Sequence, residues 1–321
     1  MESAKAAGGW RRLGLCIHSL MTRVAAERAA GTHPAIYNPQ PFLEYAHSLG
    51  AAGVQAHLGV LESGDAHRLR ARAEELGLFV EGIAVLPKSE AERPAFEAAL
   101  RTAAAVGARV VRTVVVPGRR YEAFASREAF LEADRAGRQA LEWAEPVAAR
   151  YRVPLAIENH KDHRVSEKLA ILEALSSEWV GVCLDTGNDI ALLEDPLELV
   201  EAYAPWTLCV HLKDMAVWPH PDGFLLAEVP LGEGFLDLTT MVRVVRRARP
   251  EACFTLEMIT RDPLRVPCLT EPYWAAFDAV PARALARTLA LVRQHATPRP
   301  LPQVSSLPLA DQVALEEENI R

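Results

Sequence analysis

Residues 153–166 read VPLAIENHKDHRVS. An apolar run of strand length, Val153 to Ile157, ends abruptly in Glu158, Asn159, His160, Lys161, Asp162 and His163. Such a strand either runs out into a solvated loop or delivers a reactive cluster into a site. The design recurs along the chain. Strand-like runs stand near 13–18 (LGLCIH), 53–58 (GVQAHL), 78–85 (LFVEGIAV), 109–116 (RVVRTVVV), 153–158, 180–185 (VGVCLD), 207–212 (TLCVHL) and 252–258 (ACFTLEM). Segments rich in Ala, Leu, Glu and Arg with helical spacing lie near 39–49, 65–76, 90–106, 127–150, 166–177, 196–203, 237–248 and 281–295.

Eight strand–helix units with nearly continuous apolar strands predict an α/β fold, a parallel sheet closed into a (β/α)8 TIM barrel. An open doubly wound sheet usually carries a Gly-rich turn after its first strand, and here the first strand ends CIHSLM. Helix ends support the division. Asp195-Pro196-Leu197-Glu198 combines a capping Asp, a Pro at the first helical position and a Glu placed to close a capping box. Ser166 is expected to cap the next helix, with Glu167 in its first turn. Gly50, Gly77 and Gly107 follow helical runs, where a left-handed residue is wanted.

The barrel is expected over 13–296, after a loose arm at 1–12. The extension 297–321 begins Pro-rich (TPRPLPQVSSLP) and ends in a short acidic helix, LADQVALEEENIR. It reads either as a disordered tail or as an arm packing on a neighbouring subunit of a homo-oligomer.

Half of the 321 residues are hydrophobic (50%) and 24% are charged, the balance of a soluble globular protein. A net charge of -7 argues against a nucleic-acid partner, which needs a basic footprint. Apolar runs are far shorter than a membrane span, and MESAKAAGGWRRLGLC has no apolar signal core. The expected setting is cytoplasmic, without a membrane partner. The five cysteines form no CxxC pair, and four sit in strand-like segments, which suits buried reduced thiols.

In a barrel, active groups stand at the C-terminal ends of strands and face inward. Strands five to eight end in Glu158, Asp185, His211 and Glu257. Residues two and four positions back share the inward face: Ala156 and Pro154, Cys183 and Gly181, Cys209 and Thr207, Thr255 and Cys253. All are small. Ile157, Leu184, Val210 and Leu256 point the other way, toward the helices. Three converging carboxylates would repel one another unless a cation compensates. A divalent metal does so, and this oxygen-rich set suits Mn2+ first, then Mg2+ or Co2+, with Zn2+ less suited; the alternative is four unrelated strand-end residues in ion pairs with lysines and arginines.

Other polar residues are candidates for the pocket. Lys213 shares the inward face of His211 and is expected to steady an oxyanion or act as an acid. The plainer reading is an ion pair with Asp214 or Asp185. Arg112 interrupts an apolar strand, either to bind substrate or to pair with Glu81. His18 and His57 end strands one and two, and His160 shares the parity of Glu158. Trp218 either covers a bound substrate or packs a loop. The candidate substrate-binding set is His18, His57, Glu81, Arg112, His160, Asn188 and Lys213.

The segments IENH (157–160), CLDTGN (183–188), HLKD (211–214), PLGEG (230–234) and TLEM (255–258) resemble, as an ordered set, the xylose isomerase-like TIM barrels. That family includes sugar-phosphate isomerases and epimerases, ketose 3-epimerases and endonuclease IV. The resemblance implies that Glu158, Asp185, His211 and Glu257 hold one catalytic metal and that Glu158 and Glu257 exchange protons on either face of a ketose. Endonuclease IV and the ketose 3-epimerases carry a His where this chain has Asn188, and the epimerases have an Arg shortly after the strand-seven His, where this chain reads Lys213-Asp214-Met215-Ala216-Val217. DNA repair is therefore disfavoured.

The expected enzyme is a divalent-metal-dependent isomerase or epimerase of a small sugar-like ketose, acting through an enediolate, with Glu158, Glu257 and Lys213 as catalytic residues. The runner-up is a lyase, decarboxylase or dehydratase of a 3-keto sugar or keto sugar acid, with Arg112, Lys213 and Lys161 on the carboxylate. A third reading is a non-catalytic sugar-binding barrel.

Overall fold

Eight short parallel strands close on themselves in the computed structural model, which describes residues 13–298, 301 and 303–321. The expected arm at 1–12 lies outside the described residues, as do 299, 300 and 302 of the Pro-rich segment. Strands β1 (Leu13–Cys16), β2 (Gly53–Ala56), β3 (Phe79–Ile83), β4 (Val111–Thr113), β5 (Leu155–Glu158), β6 (Val180–Asp185) and β7 (Thr207–Leu212) follow one another around the barrel. A hairpin, β8 (Asp214–His220) and β9 (Gly223–Val229), intervenes before β10 (Cys253–Leu256) closes it between β7 and β1. The short β11 (Leu264–Val266) pairs antiparallel with β9.

The alternation read from the sequence sets the two layers. Ile157, Leu184, Val210 and Leu256 join the large core between sheet and helices. Ala156, Cys183 and Cys209 form a separate small cluster inside the barrel with Val110.

The surrounding helices are α1 (Met21–Ala29), α2 (Pro39–Ser48), α3 (Ser63–Leu76), α4 (Arg93–Val106), α5 (Arg120–Ala123), α6 (Arg127–Tyr151), α7 (Val165–Leu175), α8 (Pro196–Tyr203), α9 (Leu238–Ala248), α10 (Glu271–Trp274), α11 (Ala282–His295) and α12 (Leu309–Asn319). Asp195 caps α8, accepting from Leu197 N at 3.0 Å and Glu198 N at 3.1 Å. Glu198 turns outward to Arg287 instead of closing a capping box. Ser166 does not cap α7. The helix starts one residue earlier, with Arg164 at the cap and Glu167 accepting from Arg164 N at 2.8 Å. Arg120 fixes Glu167 there, 2.7 Å from its carboxylate. Gly50, Gly77 and Gly107 are left-handed, with φ of 81°, 69° and 78°.

Among the described residues, α1, the short helices α5 and α10, the β8–β9 hairpin and β11 escaped the sequence reading. The extension folds back on its own barrel. In α12, Glu316 accepts from Thr22 N at 2.6 Å and Arg23 N at 2.9 Å, covering the open amides at the start of α1. Leu301 packs on Ala216 and Ala227 of the hairpin. No described helix is long and apolar enough to cross a membrane.

Candidate metal centre

Four strands bring Glu158, Asp185, His211 and Glu257 together at the C-terminal mouth of the barrel. One ligand atom from each lies within 4.8 Å of the others, and all four residues are buried. Glu158 and Asp185 are the last residues of β5 and β6, His211 is in β7, and Glu257 directly follows β10. The parity argument placed them on one face, and strand tilt brings their ends to one depth.

The imidazole is the most telling group. His211 Nε2 lies 2.6 Å from Gln55 Oε1, a carbonyl that only accepts, so Nε2 donates. Gln55 Nε2 donates in turn to Glu81 Oε2 at 2.9 Å, and Thr255 Oγ1 donates to the same oxygen at 3.2 Å. His211 Nδ1 is left without a hydrogen-bond partner. It faces Glu257 Oε2 at 3.3 Å, Glu158 Oε2 at 3.6 Å and Asp185 Oδ2 at 3.9 Å. A buried nitrogen aimed at three carboxylates, its far side pinned by an outer hydrogen bond, is the arrangement a metal ligand needs. The donor set fits a divalent ion.

Cationic side chains thread the same cluster. Arg112 pairs with Glu158 and not with Glu81. Lys213 Nζ lies 2.8 Å from Asp185 Oδ2, 2.7 Å from Glu257 Oε2 and 3.7 Å from Glu228 Oε1. His18 Nδ1 is 2.9 Å from Glu257 Oε1. Asn188 Nδ2 donates to Glu158 Oε1 at 3.0 Å, and the Asn188 and Gly187 amides donate to Asp185 Oδ1, both at 2.9 Å.

These neighbours set the protonation states. Burial pushes the Asp185 carboxyl up to about 6, with Lys213 pulling the other way. Burial is the largest single influence on Glu158 and Glu257, but Arg112, His211 and His160 together outweigh it at the first, and His211, Lys213 and His18 together at the second; both stay below the usual carboxylate range. Burial opposes a charge on His211, yet the negative groups around it hold its pKa well above the ordinary value.

A cavity of about 330 Å³ opens above the cluster, walled by His18, Arg112, Gly118, Arg119, Glu122, His160, Lys161, Asn188, Lys213, Glu257, Ile259 and Arg261. Of the expected substrate-binding set, His18, Arg112, His160, Asn188 and Lys213 line it. His57 and Glu81 do not. The His57 ring stacks on Tyr37 at 5.3 Å, and burial takes its pKa down to about 4. Glu81 lies beneath His211 in the floor, where burial pushes it up to about 7. It faces a separate cavity of about 400 Å³ at the opposite end of the barrel. Trp218 belongs to β8 and packs with the Leu301 cluster, the loop-packing reading. A larger groove of about 510 Å³ runs between α8 and α11 and holds none of the expected residues.

The opening stretch divides. Lys168 Nζ is 3.0 Å from both oxygens of Asp162 and from the Glu158 carbonyl, while His163 Nε2 is 2.7 Å from Asp134 Oδ1. Asp162 and His163 therefore brace the turn that presents Glu158, His160 and Lys161 to the cavity. Gln55, Arg119, Glu228 and Arg261 were missed. Gln55 was findable as a polar residue in an apolar strand; the others sit on loops or in the unforeseen hairpin, where no periodicity marks them.

The barrel and its four-residue cluster define a class, and sequence comparison agrees: residues 43–283 match the xylose isomerase-like TIM barrel family. The chain belongs to that family, whose fold is that of sugar isomerases and epimerases. A 3-oxo-isoapionate decarboxylase of Pectobacterium atrosepticum is 32% identical over 103 residues, 32% of this chain and 38% of that relative's length. Among solved structures, the probable 3-DHS dehydratase AsbF of Bacillus anthracis superposes with a TM-score of 0.58 at 15% identity, covering 77% of this chain and 93% of that one. A xylose isomerase-like TIM barrel protein of Mycobacterium smegmatis in complex with magnesium gives 0.53 at 17% identity, covering 77% and 88%. These structural likenesses show the fold.

Proposed function

We propose that the protein is a divalent-metal-dependent enzyme that breaks a bond beside the carbonyl of an oxo-sugar, and that the bond broken is the one to a carboxylate, releasing CO2. The observation that carries the metal reading is the unpartnered His211 Nδ1 facing three buried carboxylates. Glu158, Asp185, His211 and Glu257 would hold the ion, Mn2+ first and Mg2+ or Co2+ next. When bound, the ion supplies Lewis-acid polarisation of the carbonyl and charge stabilisation for the enediolate.

The chain's own residues do the rest. Lys213 keeps its proton at Nζ, because burial is outweighed by Asp185, Glu228 and Glu257, and it steadies the developing oxyanion. His18 and Asn188 hold Glu257 and Glu158 in place. Arg112, Arg119, Lys161, Lys213 and Arg261 stand on the cavity wall, and Lys161, which among the described residues has no ion-pair partner, supports an anionic substrate. As the carbon–carbon bond breaks, its electron pair stays with the sugar, CO2 leaves, and a proton takes its place on carbon. The decarboxylase relative supports the same class.

Epimerisation is the second reading. Glu158 and Glu257 come from the two ends of the arc β5-β6-β7-β10, and two carboxylates from different strands are what two-base proton exchange requires. One experiment separates the two. Mn2+-loaded protein is incubated in D2O with 3-oxo sugar acids and ketoses and followed by NMR. A decarboxylase releases CO2 and leaves deuterium in the product. An epimerase places deuterium in recovered substrate without CO2. Activity that survives EDTA contradicts both. The buried, unbridged thiols support a reducing, cytoplasmic setting.

A further inference from the structure

The basic residues on the cavity wall are not equivalent. Arg112 is paired with Glu158, Arg119 with Glu122, Lys213 with Asp185 and Glu257, and Arg261 with Glu228. Lys161 has no such pairing: among the described residues no carboxylate forms an ion pair with it. Its Nζ meets only an uncharged acceptor, Asn188 Oδ1. The residue is nonetheless 4% exposed and lines the cavity. An ammonium removed from water without a direct ion-pair partner is costly, and folded proteins rarely keep one without a use. Its backbone adds a second cost. Lys161 is left-handed, with φ of 63°, in a turn fixed by Asp162, Lys168 and the Arg120 amide, which donates to its carbonyl at 3.0 Å. Strain of this kind, away from glycine, gathers where a side chain must be aimed.

We propose that Lys161 anchors a carboxylate of the substrate, so that the substrate is a sugar acid and not a neutral ketose. The proposal rests on the metal-centre reading above and goes beyond it by assigning the acid group to one residue. Asn188 is the positioning residue: its carbonyl oxygen holds Lys161 while its amide nitrogen holds Glu158. It thereby couples the anion site to the metal site.

The test uses Mn2+-loaded protein and two four-carbon probes, threonate and uncharged threitol, with binding read by calorimetry. Wild-type protein is expected to prefer threonate by about tenfold or more, the scale of a charge-assisted hydrogen bond. Lys161→Asn, which suits the left-handed backbone, is expected to bring the two probes within about threefold of each other. Lys161→Arg is expected to retain most of the preference. Mn2+ binding, followed by its paramagnetic resonance signal, reads the metal centre separately and is expected to persist in both variants. A threonate preference undiminished in Lys161→Asn, or absent from wild-type protein that binds Mn2+, overturns the proposal alone. Inorganic phosphate binding more tightly than threonate through Lys161 overturns the carboxylate assignment. Wild-type protein that takes up no Mn2+ overturns the reading beneath it.

Discussion

A single imidazole orders the site. His211 can present Nδ1 to a cation only because Gln55 accepts from its other nitrogen and Glu81 holds Gln55. Replacing Gln55 by Leu is expected to weaken Mn2+ binding by about 10–100-fold in calorimetry, the usual effect of removing an outer-shell partner; unchanged affinity would remove Gln55 from the account. The same residue fixes the pH dependence. The pKa of His211 is raised in the metal-free protein, so an ion must displace a proton. Mn2+ affinity is therefore expected to rise with pH between about 6 and 8, by up to about tenfold per unit. A flat profile would show that His211 gives up no proton. The four converging side chains were legible because strand parity is a strict rule: one polar residue at each strand end, small residues behind it. Lys161 stood in view in the opening stretch, but no sequence rule separates it from its neighbours. Its distinction is the lack of a direct ion-pair partner among the described residues, which only three-dimensional structure shows.

At the scale of elements, the β8–β9 hairpin is the main departure from the expected unit. It carries Glu228, whose side chain is only 2% exposed, accepts from Ile259 N at 2.6 Å and pairs with Arg261 at 2.7 Å on the cavity rim. The segment after His211 carries no strand signal in the sequence, because its alternation is weak and Pro219 and Pro221 interrupt it. The GEG turn that follows is tied down by Asp214, whose carboxylate accepts from Gly232 N at 2.9 Å, Gly234 N at 3.0 Å and Leu236 N at 3.2 Å. A Cβ at Gly234 would come within 2.1 Å of Asp214 Oδ1 and 2.5 Å of the Met215 carbonyl oxygen. Gly234→Ala is expected to destabilise the protein by about 1–3 kcal/mol in urea unfolding. Stability equal to wild type would mean that Asp214 does not anchor the turn. The helix caps divided along similar lines: Asp195 caps as its sequence predicts, whereas Ser166 yields to Glu167 because a distant arginine, Arg120, fixes that carboxylate.

For the molecule as a whole, the barrel was legible because eight apolar runs at regular spacing leave few other closed solutions. The extension was not, because it docks through contacts far apart in sequence: Glu316 on the start of α1, Asn319 on Thr260, Ser305 on Asp262 and Leu301 on the hairpin. Glu316→Ala removes both acceptors at the start of α1 and is expected to cost about 0.5–2 kcal/mol, the range of a lost N-cap. Hydrogen exchange would then accelerate in α1 and α12 while the barrel strands keep their protection; uniform protection throughout would show that α12 docks without Glu316.

The central claim is that four strand ends hold one divalent ion. Crystals grown with Mn2+ and measured at its absorption edge test it directly. The account predicts one anomalous peak within bonding distance of His211 Nδ1 and of carboxylate oxygens from Glu158, Asp185 and Glu257. A peak elsewhere, or none while the Arg112 and Lys213 ion pairs persist, would contradict it.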